Sequence, residues 1–233
     1  MQNTIEKLQE LQSEAFDKND FKALTEFFHT EEYKSLPYLV RNRGFITSHK
    51  MQEFMRCQFC YAQKYINEVP DPTEGDNDAF LIGQAIDDRL TEGEEYFKIK
   101  YEVVARRSKD AAKQQLTVTQ GGLVDNMKSE FLENKLFNPN PKKTIVFTKM
   151  AGLILKAELD DIQIENKKML DLKTTANILT FDPQNYVHQM SFYQLVVEEA
   201  MDVRCSADLE VVDKYTHFSR SALYNLSELT LFS

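Results

Sequence analysis

The stretch that decides the fold runs from Asp160 to Thr175 and reads DDIQIENKKMLDLKTT. Apolar and polar residues alternate on both sides of the polar segment 165–168, which is typical of two β-strands joined by a turn. Side chains two positions apart leave the same face of a strand. Asp171 and Lys173 therefore share one face, and Leu172 between them points to the other.

Two carboxylates and one ammonium group converge in this predicted hairpin. The turn brings the preceding strand alongside, so that Asp160 or Asp161 can approach Asp171 from the neighbouring strand. Hard cations such as Mg²⁺ take oxygen ligands from one or two carboxylates together with substrate phosphate. A bound cation would polarise a scissile phosphate and lower the pKa of an attacking water, while Lys173 orients that water or neutralises developing charge.

A cross-strand ion pair on a solvated face is the alternative interpretation of the same residues. The strand itself argues against it, because Met169, Leu170 and Leu172 make it too apolar for an exposed edge. Buried acids on a core strand are costly unless they are paired or bound to a cation. The Lys-Thr-Thr that follows marks the end of the strand, where the active sites of α/β sheets tend to open.

Helical and strand patterns are mixed in the rest of the chain, which indicates an α/β protein. Helical spacing predicts helices over 4–34 (with a break near Asn19-Asp20), 48–66, 79–91 (with Gly93 as its C-cap), 109–137 and 183–201. Alternation and β-branched residues predict strands over 98–105, 143–149, 153–164, 169–175 and 208–213. With 233 residues, 42% of them hydrophobic, we expect a single domain over residues 1–233.

The net charge of -9 argues against a protein that coats nucleic acid by bulk electrostatics. It is compatible with a nuclease, because a metal site needs carboxylates and phosphate contacts can come from local basic patches. Candidate patches are Arg106-Arg107, Lys142-Lys143 and Lys167-Lys168, although each can equally be a solvated surface feature.

Neither a signal peptide nor a membrane anchor is expected, because no run of eighteen apolar residues exists. The three cysteines do not form a disulfide framework, which indicates a reducing cytoplasm. Cys57 and Cys60 are predicted to pack within a helix, and Cys205 stands alone downstream.

Four segments, in this order along the chain, resemble the PD-(D/E)XK nuclease superfamily, specifically its RecB-like and RecE-type phage exonuclease branch. Ser48–Tyr61 is similar to the amino-terminal helix of that branch, and Gly83–Asp87 (GQAID) takes the place of its G-x-x-x-H motif. The order D-x(10)-D-L-K-T-T in Asp160–Thr175 resembles the catalytic hairpin, and Gln189–Tyr193 (QMSFY) matches the Q-x-x-x-Y motif. The resemblance implies a restriction-endonuclease-like core over 46–215, with a central mixed β-sheet flanked by helices in the order αβββαβ. Residues 1–45 would be a helical N-terminal extension.

The resemblance also implies a role for each matching residue of the hairpin. Asp160 and Asp171 match the metal-binding acids, and the backbone carbonyl of Leu172 matches a further ligand. Lys173 matches the catalytic lysine. Asp87 stands where the family has histidine, and since aspartate is a competent ligand for hard metals, this departure should change metal preference more than abolish binding.

The DNA contacts that the resemblance implies lie on two other helices. Gln189 and Tyr193 are four residues apart, hence on one helix face, and would be presented to DNA. The alternative is a core tyrosine beside a surface glutamine. Arg56 is a candidate for holding a DNA 5′-phosphate, and its alternative is a surface ion pair.

An exonuclease on double-stranded DNA ends, dependent on Mg²⁺ or Mn²⁺ and acting 5′ to 3′, is the function that the resemblance implies. Expected partners are DNA, a single-strand annealing protein and further copies of the same chain, in the cytoplasm of a bacterial or phage-infected cell. No iron–sulfur cluster is expected, because only Cys205 lies downstream of the hairpin. Two alternatives stay open, namely a CRISPR-adaptation-like or repair endonuclease acting on single strands, and a non-catalytic DNA-binding protein on a decayed nuclease fold.

Overall fold

A computed structural model describes residues 2–36, 38–69, 78–108, 111–133, 143–214 and 221–225, the last of these by their backbone alone. The described residues group into two units, each assembled from separate stretches of the chain. Unit 1 draws on Met1–Glu74, Ile145–Glu158 and Tyr186–Cys205, and unit 2 on Gly75–Thr144, Leu159–Asn185 and Ser206–Ser233. A single domain over 1–233 stays a prediction.

Helices dominate the first half of the described chain, and strands dominate the second. The α-helices are α1 Gln2–Lys18, α2 Lys22–Phe28, α3 Glu31–Lys34, α4 Tyr38–Arg41, α5 Ser48–Arg56, α6 Gln58–Tyr61, α7 Asp78–Thr91, α8 Glu94–Lys100, α9 Val118–Glu133 and α10 Val187–Met201. A π-helical turn covers Ala62–Ile66, and 3₁₀ turns cover Ile178–Thr180 and Pro183–Tyr186. The strands are β1 Phe45–Ile46, β2 Tyr101–Val104, β3 Gln114–Thr117, β4 Thr144–Met150, β5 Leu153–Leu159, β6 Asp161–Gln163, β7 Lys168–Thr175, β8 Ser206–Asp213 and β9 Ser221–Asn225.

Unit 1 packs the N-terminal helices against a three-stranded sheet in the order β1-β5-β4. Phe28 lies at the centre of its core, with ring centroids 3.8 Å from Tyr33, 5.6 Å from Phe45 and 5.0 Å from Phe147. These rings tie α2 and α3 to β1 and β4. The predicted break near Asn19 is confirmed, because Asn19 has a positive φ of 51° between α1 and α2.

Unit 2 contains a four-stranded mixed sheet in the order β6-β7-β8-β9. β7 runs antiparallel to β6 and parallel to β8. α7 and α9 pack on the face of this sheet that carries Leu172 and Val212, with buried Ile82, Ile86 and Val124 among their contacts. The predicted fold class, a mixed sheet flanked by helices and preceded by a helical extension, is confirmed.

Two predicted elements are wrong in part. A strand was expected over 98–105, but α8 continues to Lys100 and only β2 is extended, since acidic residues in the first turn and lysines in the last favour the helix. A helix was expected over 109–137, but the described part of that stretch begins with β3, which pairs with β2 in parallel. Gly93, expected as the C-cap of the helix over 79–91, lies two residues after the end of α7 and directly before α8, with a φ of 90°.

No helix in the described ranges is long and apolar enough to cross a membrane.

Candidate active site

The predicted strand over 153–164 is interrupted at Asp160, and this interruption shapes the site. β5 ends at Leu159 and β6 begins at Asp161, which pairs with Leu170 across the hairpin. Continuing that register places Asp160 opposite Asp171. The Oδ2 atom of Asp160 accepts a hydrogen bond of 2.8 Å from the backbone N–H of Leu172. The carboxylate therefore satisfies a backbone donor of β7 at the point where the β6–β7 pairing ends.

Asp171 and Lys173 leave β7 on the same face, as the alternation predicts, beside Leu209 and Val211 of β8. The ammonium group of Lys173 forms an ion pair with Oδ2 of Asp171. Asp171 is buried, with 3% of its surface exposed, whereas Lys173 is only partly buried. The lysine therefore stands between a buried carboxylate and solvent, on the side from which a substrate would arrive.

The N–H and C=O groups of one strand residue point to the same side of the strand. Since the N–H of Leu172 reaches Asp160, the carbonyl of Leu172 also points to the side on which Asp160 lies. Asp161, in contrast, faces the other side of the sheet with Leu170, and its Oδ2 accepts from Gln163 Nε2 at 3.0 Å. Of the two neighbouring acids, the structure thus brings Asp160 to Asp171.

Burial raises the pKa of the Asp160 carboxyl well above its usual value, and the negative charges of Asp87 and Asp171 raise it further. Burial also raises the pKa of the Asp171 carboxyl, although the charge and hydrogen bond of Lys173 oppose that rise. These directions have one physical cause, because several acids share a region poor in water. A bound cation would favour the ionised form of both carboxyls.

Gly83 allows α7 to approach β7 closely. A Cβ atom at this position would lie 3.2 Å from the hydroxyl oxygen of Thr174. One helical turn further on, Asp87 accepts a hydrogen bond of 2.7 Å from Lys143 through Oδ2. Its other oxygen, Oδ1, is buried and has no hydrogen-bond partner among the described residues.

Sequence reasoning missed Lys143 as part of this site. It lies just before β4, pairs with Asp87, and lowers the pKa of both Asp160 and Asp171 through its charge. The only signal in the sequence is the Lys142-Lys143 pair, which does not indicate that the second lysine turns inward. Two ammonium groups therefore partly neutralise three carboxylates.

The residues present fit a divalent cation by their chemistry. All the candidate donors are oxygen atoms, from Asp87, Asp160, Asp171 and the carbonyl of Leu172, and the buried Oδ1 atom of Asp87 has no other use in the described chain. Within the same described ranges, no three His, Cys, Asp or Glu side chains form a ready-made metal site. Two of the acids also contact lysines, Asp87 through Oδ2 with Lys143 and Asp171 through Oδ2 with Lys173.

The three predicted DNA-contacting residues belong to unit 1. Gln189 and Tyr193 share one face of α10, and Gln189 Nε2 donates to the Tyr193 hydroxyl at 2.9 Å. Tyr193 is buried, with 7% of its surface exposed. Arg56 is exposed at the end of α5, and the described part of the chain offers it no ion pair.

The expectation for Cys57 and Cys60 is wrong, because the two form a disulfide rather than packing inside a helix. The helix predicted over 48–66 breaks at Cys57, whose backbone is extended, and the Cα atoms of the pair come within 5.3 Å. That separation is in the ordinary disulfide range. Cys205 is buried and has a free thiol.

A mixed sheet with an Asp-x-Lys on an inner strand, its aspartate buried, and a second buried acid directly before the neighbouring strand is the arrangement of a PD-(D/E)XK nuclease-like domain. Residues 48–231 match the family described as a PDDEXK-like domain of unknown function (DUF3799), and the chain belongs to that family.

A solved structure from Eubacterium rectale, described as a "putative exonuclease", is similar, with a TM-score of 0.63 and 16% identity. The alignment covers 84% of this chain and 79% of that chain. At this level of identity the similarity concerns the fold alone. Among curated proteins, none matches the chain significantly.

Proposed function

We propose that the chain is a metal-dependent deoxyribonuclease that hydrolyses phosphodiester bonds at the β6–β7 hairpin. One observation carries the proposal: Asp160 and Asp171 are buried side by side next to Lys173, where an ordinary surface ion pair would be exposed. Burying two like charges is costly, and such an arrangement is retained where the charges serve chemistry.

Asp87, Asp160, Asp171 and the carbonyl of Leu172 would hold Mg²⁺ or Mn²⁺. When bound, the cation supplies Lewis acidity toward the scissile phosphate and lowers the pKa of water. The hydrogen bond from Leu172 N–H holds the Asp160 carboxylate in one orientation. Lys173 lies beside Asp171 and is only partly buried, so its ammonium group would orient an attacking water or contact a phosphate oxygen.

An exonuclease acting 5′ to 3′ on double-stranded ends, working as a homo-oligomer with a single-strand annealing protein, is the specific form that we propose. It is supported by the resemblance to RecE-type motifs and by the similarity to the Eubacterium rectale structure that is described as a "putative exonuclease". Arg56, Gln189 and Tyr193 would contact the DNA. Asp87 in place of histidine would shift the metal preference.

Incubation with end-labelled linear DNA and with closed circular DNA, in Mg²⁺ or Mn²⁺, tests this proposal. Degradation of linear DNA alone supports the exonuclease, and a label on the 5′ end reports the polarity. Cutting of closed circles or of single strands only would point to the endonuclease. A strictly monomeric species in sedimentation would argue against the oligomer.

Lys173→Ala tests the chemistry, with Lys98→Ala as the control. Lys98 lies on α8 of unit 2, its side chain is 62% exposed, and it pairs with the exposed Glu95 at 3.3 Å. We expect cleavage to fall by about a hundredfold or more in Lys173→Ala and to stay within about twofold in Lys98→Ala. If the wild type does not cleave DNA, or if Lys173→Ala cleaves as fast as the wild type, the proposed mechanism is wrong. Absence of cleavage by the wild type would favour a non-catalytic DNA-binding protein.

A further inference from the structure

Unit 1 exposes large apolar side chains over one short region of α5 and α6. The exposed fractions are 45% for Phe54, 60% for Met55 and 72% for Phe59. Phe54 packs edge-on against Tyr61 at a centroid distance of 5.4 Å, which joins the end of α5 to α6. We call Phe54, Met55 and Phe59, with Arg56 among them, the aromatic surface.

Aromatic rings continue beyond this surface into the π-helical turn. Tyr61 lies 5.0 Å from Tyr65, and the ammonium group of Lys64 lies 5.5 Å from the ring centroid of Tyr65. Rings next to cations are typical of surfaces that bind the bases and phosphates of unpaired nucleic acid strands.

The charge of this part of the chain is opposite to that of the whole. Residues 31–68 contain six lysines and arginines and four acids, a net charge of +2 in a chain of net charge -9, with Lys34 paired to Glu31 and Arg43 to Glu68. Within the aromatic surface the one charged residue is Arg56. A polyanion is therefore attracted to this region while the chain as a whole repels it.

The Cys57–Cys60 disulfide encloses Gln58 and Phe59 in a small ring. The Sγ atom of Cys57 also accepts from the backbone N–H of Cys60 at 3.1 Å. These bonds restrict the backbone that carries Phe59, so the exposed ring is held outward at a reduced entropic cost of binding.

We propose that the aromatic surface binds the unpaired end of a DNA strand, with Phe54 and Phe59 stacking on bases and Arg56 contacting a neighbouring phosphate. The proposal rests on the DNA nuclease function proposed above, and it adds a preference for a single-stranded segment. Every base offers a π-face, so this binding is independent of sequence.

A second copy of the chain is the competing occupant of an exposed apolar region. Charge favours DNA, because the segment is positive, and two copies facing each other through this region would bring two segments of net charge +2 together. Stacking also makes a different demand from apolar packing, since it needs a flat ring, whereas a protein partner accepts an aliphatic side chain of similar size.

The full chain, kept in EDTA so that no cleavage occurs, is titrated into a fluorescein-labelled 20-mer of dT and into a blunt hairpin duplex. Anisotropy reports both affinities for the wild type, Phe59→Leu, Phe59→Tyr and Leu153→Ala. Leu153 is the matched control, as it lies in unit 1 on β5 and is 51% exposed. Thermal unfolding confirms that each variant is folded.

Loss of one stacked base in Phe59→Leu should weaken dT binding by roughly five- to 150-fold, with duplex binding within about twofold. Phe59→Tyr and Leu153→Ala should bind as the wild type does. Arg56→Gln should lower the salt slope by about 0.7 on the single strand. Wild-type binding by Phe59→Leu, or equal losses on both DNAs, would overturn the proposal.

Sedimentation velocity tests whether a second copy of the chain, rather than DNA, occupies the aromatic surface. If the wild type is dimeric, Phe59→Leu is monomeric and dT binding is unchanged, then the surface joins two copies and the proposal is wrong. Its failure differs from that of the nuclease function. If DNA binding depends on Phe59 but no cleavage occurs in Mg²⁺, only the proposed nuclease function is wrong. If cleavage occurs but DNA binding does not depend on Phe59, only the proposed role of the aromatic surface is wrong.

Discussion

Replacing Gly83 by alanine tests whether the close approach of α7 to β7 positions Asp87. The added Cβ would lie 3.2 Å from the Thr174 hydroxyl oxygen, which forces one element to yield by a few tenths of an ångström. Alanine favours a helix over glycine by about 1 kcal/mol. Because the strain offsets most of that gain, we expect a net change in unfolding free energy close to zero.

Gly122→Ala is the matched control, since Gly122 lies inside α9 and nothing comes within 4 Å of its added Cβ. Here the helix gain is unopposed, and stability should rise by about 1 kcal/mol, or about 2–4 °C in Tm. Thr174→Ala removes the hydroxyl that opposes the change at Gly83. In that background, Gly83→Ala should recover the gain, which a double-mutant cycle measures as a coupling of about 1 kcal/mol.

Activity should respond in the opposite way from stability. Displacing a catalytic group by 1 Å can cost about a hundredfold in rate, so a shift of a few tenths should cost about three- to tenfold in Gly83→Ala. Gly83→Val should cost about a hundredfold, and Gly122→Ala nothing. The assay is degradation of end-labelled DNA at saturating Mg²⁺. If Gly83→Ala were as stabilising as Gly122→Ala and cleaved at the wild-type rate, the reasoning would be wrong.

Three further predictions concern the buried acids, an ion-pair network and the disulfide. Asp160→Asn keeps a hydrogen-bond acceptor but removes a buried charge, so metal-free stability in urea should rise by about 1–2 kcal/mol while cleavage falls by about a hundredfold; lowered stability would contradict this. The hydrogen bond from Arg89 lowers the pKa of Glu94 to about 2, below its ordinary 4.5, so the pair stabilises the fold above pH 4.5 and loses that effect as the pH falls toward 2. Since Glu94 is partly exposed, Glu94→Gln should remove under about 1 kcal/mol of this acid-sensitive stability, and an unchanged acid profile would refute it. Reducing the Cys57–Cys60 disulfide should cost about 2 kcal/mol in urea unfolding, and reductant should have no effect on Cys57→Ser.

The two lysines in the site distinguish it from a surface ion pair. Lys173 contacts the buried Asp171, and Lys143 contacts the partly exposed Asp87. The two ammonium groups limit repulsion among the carboxylates. If a metal ion bound the carboxylates, the ammonium groups would be expected to turn toward the negative charge of a substrate phosphate.

The hairpin could be predicted from the sequence because its determinants are local. Alternation over Asp160–Thr175 sets which side chains share a face, and a polar turn sets which residues meet across the strands. Both follow from the geometry of a strand and need no knowledge of distant residues. The shared face of Asp171 and Lys173 was predicted on this ground. Strand geometry left both Asp160 and Asp161 open as the neighbour of Asp171, and only the family resemblance favoured Asp160.

Elements whose state depends on distant partners could not be predicted in the same way. β3 is extended because it pairs with β2, and its own sequence did not distinguish it from the helix that follows. The break at Cys57 and its disulfide depend on how α6 turns back against α5, through contacts such as Phe54 with Tyr61. Tertiary contacts outweigh local propensity in both cases.

By itself, then, the sequence determined the hairpin and the order of its chemical groups, because strand geometry repeats every two residues. Only the tertiary structure decided that Asp160 is buried beside Asp171, that Thr174 is the residue which Gly83 approaches, and that Lys143 meets Asp87 across 56 positions of sequence. The physical reason is that burial and ion pairing depend on which distant segments pack together, and a local sequence pattern does not determine that packing.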